Sequence, residues 1–140
     1  MTKKYKILGK YIKDMSSETA DIETYIFVRD YISRYQLTID INSKALKDKM
    51  IEINTIMKFE DKEESKRKSY FEINYSTIIK IDDEIKDKKD LEKIILCDVQ
   101  IEVYPDMEKS LLDMIHNSGY PAVKFEKKVD FEKLYNQGSN

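Results

Sequence analysis

Between residues 35 and 42 apolar and polar side chains alternate without a break: Tyr35, Leu37, Ile39 and Ile41 against Gln36, Thr38, Asp40 and Asn42. A period of two is the mark of a strand with one face buried and the other wet. It commits the chain to a sheet that has to be covered on one side. The same period recurs over 49–60, with Ile51, Ile53, Thr55, Met57 and Phe59 on one face. It recurs again over 68–81, where Phe71, Ile73, Tyr75, Thr77, Ile79 and Ile81 face one way and Tyr70, Glu72, Asn74 and Ser76 the other. A first stretch, 4–14, is read as a strand with Tyr5, Ile7, Gly9 and Tyr11 on one face and Leu8 and Ile12 on the other.

Short links order these strands. Asn42-Ser43-Lys44 and the charged run Asp61–Lys68 predict an antiparallel meander of strands two, three and four. The link from strand one to strand two is longer and carries Tyr25, Ile26, Phe27, Val28 and Tyr31. It is too apolar for a plain solvated loop and predicts a functional loop, an apolar groove or an oligomer interface.

Beyond residue 81 the period lengthens. Asp90-Leu91-Glu92-Lys93-Ile94-Ile95 begins a short helix. Pro105 is read as lying in the first turn of a second helix, where its missing N–H costs nothing. Met107, Leu111, Met114 and Ile115 then recur at helical spacing to about residue 117, and Gly119 supplies a left-handed cap. A last helix, 131–137, follows Asp130 as N-cap. Strands followed by helices predict an α+β fold, a four-stranded antiparallel sheet with a long helix and a short C-terminal one, in one domain over 1–140. That length buries a core without metal or disulfide support.

Residue chemistry narrows the function classes. Lys and Arg number 25 and Asp and Glu 27, a net charge of −2, which argues against a nucleic-acid binder. Glycine occurs 3 times, at 9, 119 and 138, so no phosphate-cradling loop can be built, and no ATP hydrolysis is expected. His116 stands alone near a helix end, and the single cysteine, Cys97, lies among Ile94, Ile95, Leu96 and Val99 as a small buried hydrophobe. Neither metal nor cofactor is expected, and the chain is read as no enzyme. A lone cysteine, a lysine-rich but not apolar N-terminus and no membrane-length apolar run predict a cytoplasmic protein without membrane insertion. Asp14, Glu18, Asp21 and Glu23 are dense enough to form a docking patch for a basic partner.

Three segments carry a resemblance. Tyr11-Ile12-Lys13-Asp14-Met15-Ser16-Ser17-Glu18 resembles the first-strand motif of the protein-export chaperone SecB family. Tyr104-Pro105 and Ser118-Gly119-Tyr120-Pro121 resemble the two ends of its long helix, and Val129 to Tyr135 the opening of its final helix. The resemblance covers nearly the whole chain. It implies an ATP-independent holdase, a homotetramer built as a dimer of dimers, that keeps unfolded preproteins export-competent and delivers them to the motor SecA. It carries the acidic SecA-docking site onto Asp14, Glu18, Tyr70 and Glu72. It carries the client groove onto Tyr25, Phe27, Leu37, Ile39, Ile41, Phe131, Leu134 and Tyr135. Met107, Leu111, Met114 and Ile115 are expected at the oligomer interface, because that apolar face needs a cover. The chain departs from the family pattern at Ser76-Thr77, where a glycine pair is usual, in the charged stretch 82–90, and in a short tail ending at Asn140. Two other readings are a SecB-like chaperone dedicated to one client, such as an antitoxin, and a small ligand-binding α+β domain.

Overall fold

Alternation in strands two to four makes one sheet face apolar, and the helical half of the chain lies on that face. The computed structural model describes residues 4–63, 65–125 and 128–138. The elements are β1 (Tyr5–Glu18), α1 (Ile22–Tyr31) with a 3₁₀ turn (Ile32–Arg34), β2 (Gln36–Ala45), β3 (Met50–Glu60), β4 (Tyr70–Ile81), α2 (Lys88–Lys93), α3 (Val99–Asn117) and α4 (Phe131–Gly138). The sheet runs in the order β1-β4-β3-β2, antiparallel throughout. The β2-β3-β4 meander is as expected, and β1 pairs with β4 on the far edge.

Residues directly opposite in the ladder share a face. Leu37, Phe59 and Phe71 thus line up on the helix side, as do Ile39, Met57 and Ile73. Ile53, Met57, Ile73 and Ile79 are fully buried there, each worth about 1.5–3 kcal/mol of apolar transfer.

Strand one breaks the simple alternation. β1 slips register between Ile7 and Gly9 and again between Ile12 and Asp14, placing an extra residue at Leu8 and at Lys13. Tyr5 and Ile7 face the helices, opposite Ile81 and Ile79, but Gly9 and Tyr11 fall opposite Ile78 and Ser76 on the outer face. Ile12 returns to the helix side opposite Tyr75. Tyr5, Ile7, Gly9 and Tyr11 therefore do not share one face: each bulge reverses the side to which later residues point.

Two connections also differ from expectation. Asn42, Ser43 and Lys44 are not a turn; they pair with Asn54, Ile53 and Glu52. The chain reverses at Asp48 and Lys49, with φ of 57° and 62°, a turn with both central residues left-handed and no glycine to signal it. The long link is a helix rather than a loop. Asp21 caps it, its Oδ1 accepting from the Thr24 N–H at 2.8 Å, and Val28 and Thr24 turn inward.

From Lys88 to Asn117 the helical half is one continuous rod. α2 passes into α3 through a π turn at Ile94–Asp98, and Pro105 lies well inside α3 rather than at its start. Gln100, fully buried, ties the widened turn to the sheet. Its Oε1 accepts from Thr55 Oγ1 at 2.9 Å and its Nε2 donates to the Ile95 carbonyl at 3.2 Å. Val99, Val103, Met107, Leu111 and Ile115 recur every four residues and are each 0% exposed. Met107, Leu111 and Ile115 are therefore covered by the chain's own sheet, not by a second copy, and Met114 is only half buried. The expected interface face is the core.

α3 ends on a full left-handed cap. The Gly119 N–H donates to the His116 carbonyl at 3.2 Å and the Tyr120 N–H to Ile115 at 3.3 Å. Gly119 has φ +109°. Tyr25 of α1 lies against it, its hydroxyl donating to the Gly119 carbonyl at 2.9 Å. His116 has a structural part, Nε2 lying 2.8 Å from the Val123 carbonyl. Cys97 is buried, and burial pushes its thiol pKa up.

Candidate functional site

β2 is an edge strand, so its helix-facing residues Ile39 and Ile41 have a strand on one side only. The π turn and α4 stand beside them. Asp130 caps α4, its Oδ1 accepting from the Lys133 N–H at 3.0 Å, and Phe131 packs edge-on against Tyr104 with ring centroids 5.4 Å apart. This anchoring leaves Leu134 half exposed. The result is a cleft of about 280 Å³ lined by Ile39, Ile41, Leu96, Phe131, Leu134 and Tyr135, with Glu92 as its carboxylate. It brings together five of the eight residues expected at a groove. Leu96 and Glu92 were not among them: Glu92 is a polar residue of α2, and Leu96 lies on the π turn, which leaves no trace in the apolar spacing. A larger depression, about 400 Å³, is lined by Asp130, Glu132, Lys133, Asn136 and Gln137 and has no apolar wall.

Tyr25, Phe27 and Leu37 do not line the cleft. Tyr25 is spent on Gly119 and on Tyr120, 5.3 Å away between ring centroids. Phe27 packs on Tyr31 at 4.6 Å, and the Arg34 guanidinium lies 4.5 Å from the Tyr31 centroid while Arg34 pairs with the buried Asp61 at 3.0 Å. Leu37 stands opposite Phe59, one row beyond Ile39.

The outer sheet face is the second candidate surface. The Lys13 bulge turns Asp14 outward, opposite Asn74, and Ser16 and Glu18 follow opposite Glu72 and Tyr70. Asp14, Glu18, Tyr70 and Glu72 thus occupy three consecutive rows on one face. The acidic group seen in sequence divides, because Asp21 is committed to the α1 cap and to Arg67 Nη1 at 3.2 Å. Lysines also stand on the outer face, Lys44 opposite Glu52 among them. Lys58 lies 3.4 Å from Glu72, and Lys13 donates to Glu52 at 2.8 Å. The Lys13 bond, with another from Asn54, holds the Glu52 carboxyl below the usual carboxylate range.

Among the described residues no three His, Cys, Asp or Glu gather as they would around a metal ion. No helix among them is long and apolar enough to cross a membrane.

A four-stranded antiparallel sheet in this order, one long helix across it and a short final helix beside an apolar cleft define a SecB-like α+β chaperone fold. A solved SecB-like chaperone of Mycobacterium tuberculosis, in complex with a peptide from an antitoxin, has this fold: TM-score 0.65, 8% identity, 89% of this chain and 91% of that one covered. The chain belongs to the SecB family, whose model, preprotein translocase subunit SecB, matches residues 1–140. It is 58% identical over the full length of both chains to the "Putative protein-export protein SecB" of Pelagibacter ubique (strain HTCC1062). It is 20% identical to the protein-export protein SecB of Methylocella silvestris, over 91% of this chain and 78% of the other. The protein is thus a protein-export chaperone of the SecB family.

Proposed function

We propose that the protein is an ATP-independent holdase, working in the cytoplasm, that keeps unfolded preproteins competent for export and passes them to SecA. The observation that carries this reading is the apolar cleft of Ile39, Ile41, Leu96, Phe131, Leu134 and Tyr135, open beside an edge strand. Apolar burial is non-directional, at roughly 25 cal/mol per Å², which suits clients of varied sequence. The protein should suppress aggregation of an unfolded precursor at near-stoichiometric ratio without nucleotide. Failure to slow light scattering would defeat the proposal. Co-purification separates the alternative, since many precursors mark a general holdase and one tight partner a dedicated chaperone.

Asp14, Glu18, Tyr70 and Glu72 are proposed as the SecA-docking surface. Exposed carboxylates act mainly through association rate and are screened by salt. Asp14→Lys should therefore weaken SecA binding about three- to thirtyfold at low salt, with holding of the client unchanged. An unaltered Kd would remove the site.

We also propose a homotetramer, a dimer of dimers. Leu8, Tyr11, Ile12 and Met15 are exposed on β1, an edge strand with one side unpaired, and such edges are normally covered. Light scattering should give the tetramer mass at micromolar concentration; a stable monomer would overturn this.

A further inference from the structure

We infer that Lys58 is a built-in competitor at the outer face: its ammonium holds Glu72 in the free protein and yields that carboxylate to a cation of the incoming partner. The inference rests on the reading of this face as the SecA-docking surface and adds how its affinity is set.

Lys58 and Glu72 stand directly opposite each other on β3 and β4. Their N···O distance is 3.4 Å, and the side chains are 51% and 36% exposed. A wet pair at this separation is worth little by itself and exchanges readily. The neighbouring pair is different. Lys13 meets Glu52 at 2.8 Å, the Glu52 side chain is 18% exposed, and Asn54 Nδ2 donates to the same oxygen at 3.0 Å. Glu52 is locked and Glu72 is exchangeable. Glu72 also lies in the row between Asp14 and Glu18, so a cationic segment laid along β1 meets it in passing.

Docking at Glu72 is then an exchange of one cation for another, which keeps the net gain small and the complex easily released.

The test measures the Kd of purified SecA for the full-length protein at low salt. Lys58→Met should tighten binding about two- to fivefold, the range of an exposed pair, and Lys58→Gln should move it the same way. Lys44→Met removes a charge of the same sign from the same face, opposite Glu52, and should change Kd less. In a Glu72→Gln background the gain from Lys58→Met should vanish. If Lys58→Met leaves binding unchanged or weaker while Asp14→Lys weakens it, the docking surface stands and the competitor is disproved. If Asp14→Lys has no effect either, both fall. A gain that persists without Glu72, or that Lys44→Met matches, reflects net charge and also overturns the inference.

Discussion

Leu134→Asp is expected to lower affinity for an unfolded client about ten- to a hundredfold while the fold and its melting temperature stay near wild type. Leu134 is 50% exposed, so the folded subunit gains little from it. It nonetheless lines the cleft with Ile39, Ile41 and Leu96. A client that covers its exposed half gains about 0.8–1.5 kcal/mol, half the value for a whole side chain, and each 1.4 kcal/mol is a factor of ten. An aspartate forfeits that gain and must be desolvated besides. Leu134→Ala should fall between the two. The check is fluorescence anisotropy with a labelled unfolded precursor, beside circular dichroism of each variant. Undiminished binding by Leu134→Asp would exclude the cleft as the client site.

The second large effect is on stability. Gly119→Ala should cost about 2–4 kcal/mol, summing a left-handed backbone penalty and overpacking. Gly119 has φ +109°, and a Cβ there would lie 2.5 Å from Tyr25 Cε1. The ring cannot step aside freely, because its hydroxyl is bonded to the Gly119 carbonyl at 2.9 Å and its face rests on Tyr120. A fall in melting temperature of roughly 6–15 °C follows for a chain of this size. Tyr25→Ala in the same molecule should recover part of the loss, since it removes the clash but not the backbone strain. A melting temperature within 2 °C of wild type would show that this contact does not constrain the cap.

The meander was legible because β2, β3 and β4 alternate without insertions, so periodicity alone gives the correct faces for Phe71, Ile73 and Tyr75. The cap at Gly119 and the Asp130 N-cap were legible because each uses a residue type with a local mechanism. The β2-β3 turn was not, since Asp48 and Lys49 take left-handed φ without being glycine. Nor were the faces of β1, because a bulge changes which side a residue points to and leaves no mark in composition. The apolar row of α3 was correctly seen as needing a cover, but sequence does not distinguish a cover within the chain from one supplied by a copy. The cleft was half legible: Ile39, Ile41, Phe131, Leu134 and Tyr135 came with the family resemblance, whereas Leu96 joins them through the π turn. Tyr25 and Phe27 lie away from the cleft for different reasons: Tyr25 packs on Gly119 and Tyr120, which are remote in the chain, whereas Phe27 packs on Tyr31 and Arg34 of its own segment.

The two bulges in β1 make this strand behave like a reading frame of two. The insertion at Leu8 shifts the frame, and the one at Lys13 restores it. Between them the strand is read out of phase, with Lys10 and Ile12 inward and Tyr11 outward. Deleting Lys13 alone would remove its bulge and leave Ile12 and Asp14 in ordinary alternation opposite Tyr75 and Asn74, with Ser16 and Glu18 still outward. Deleting Leu8 alone would do the same for Ile7 and Gly9. The two bulges are thus slack in the strand: a one-residue loss is taken up by straightening one of them, whereas an added residue calls for a further bulge to keep the acidic surface on its face.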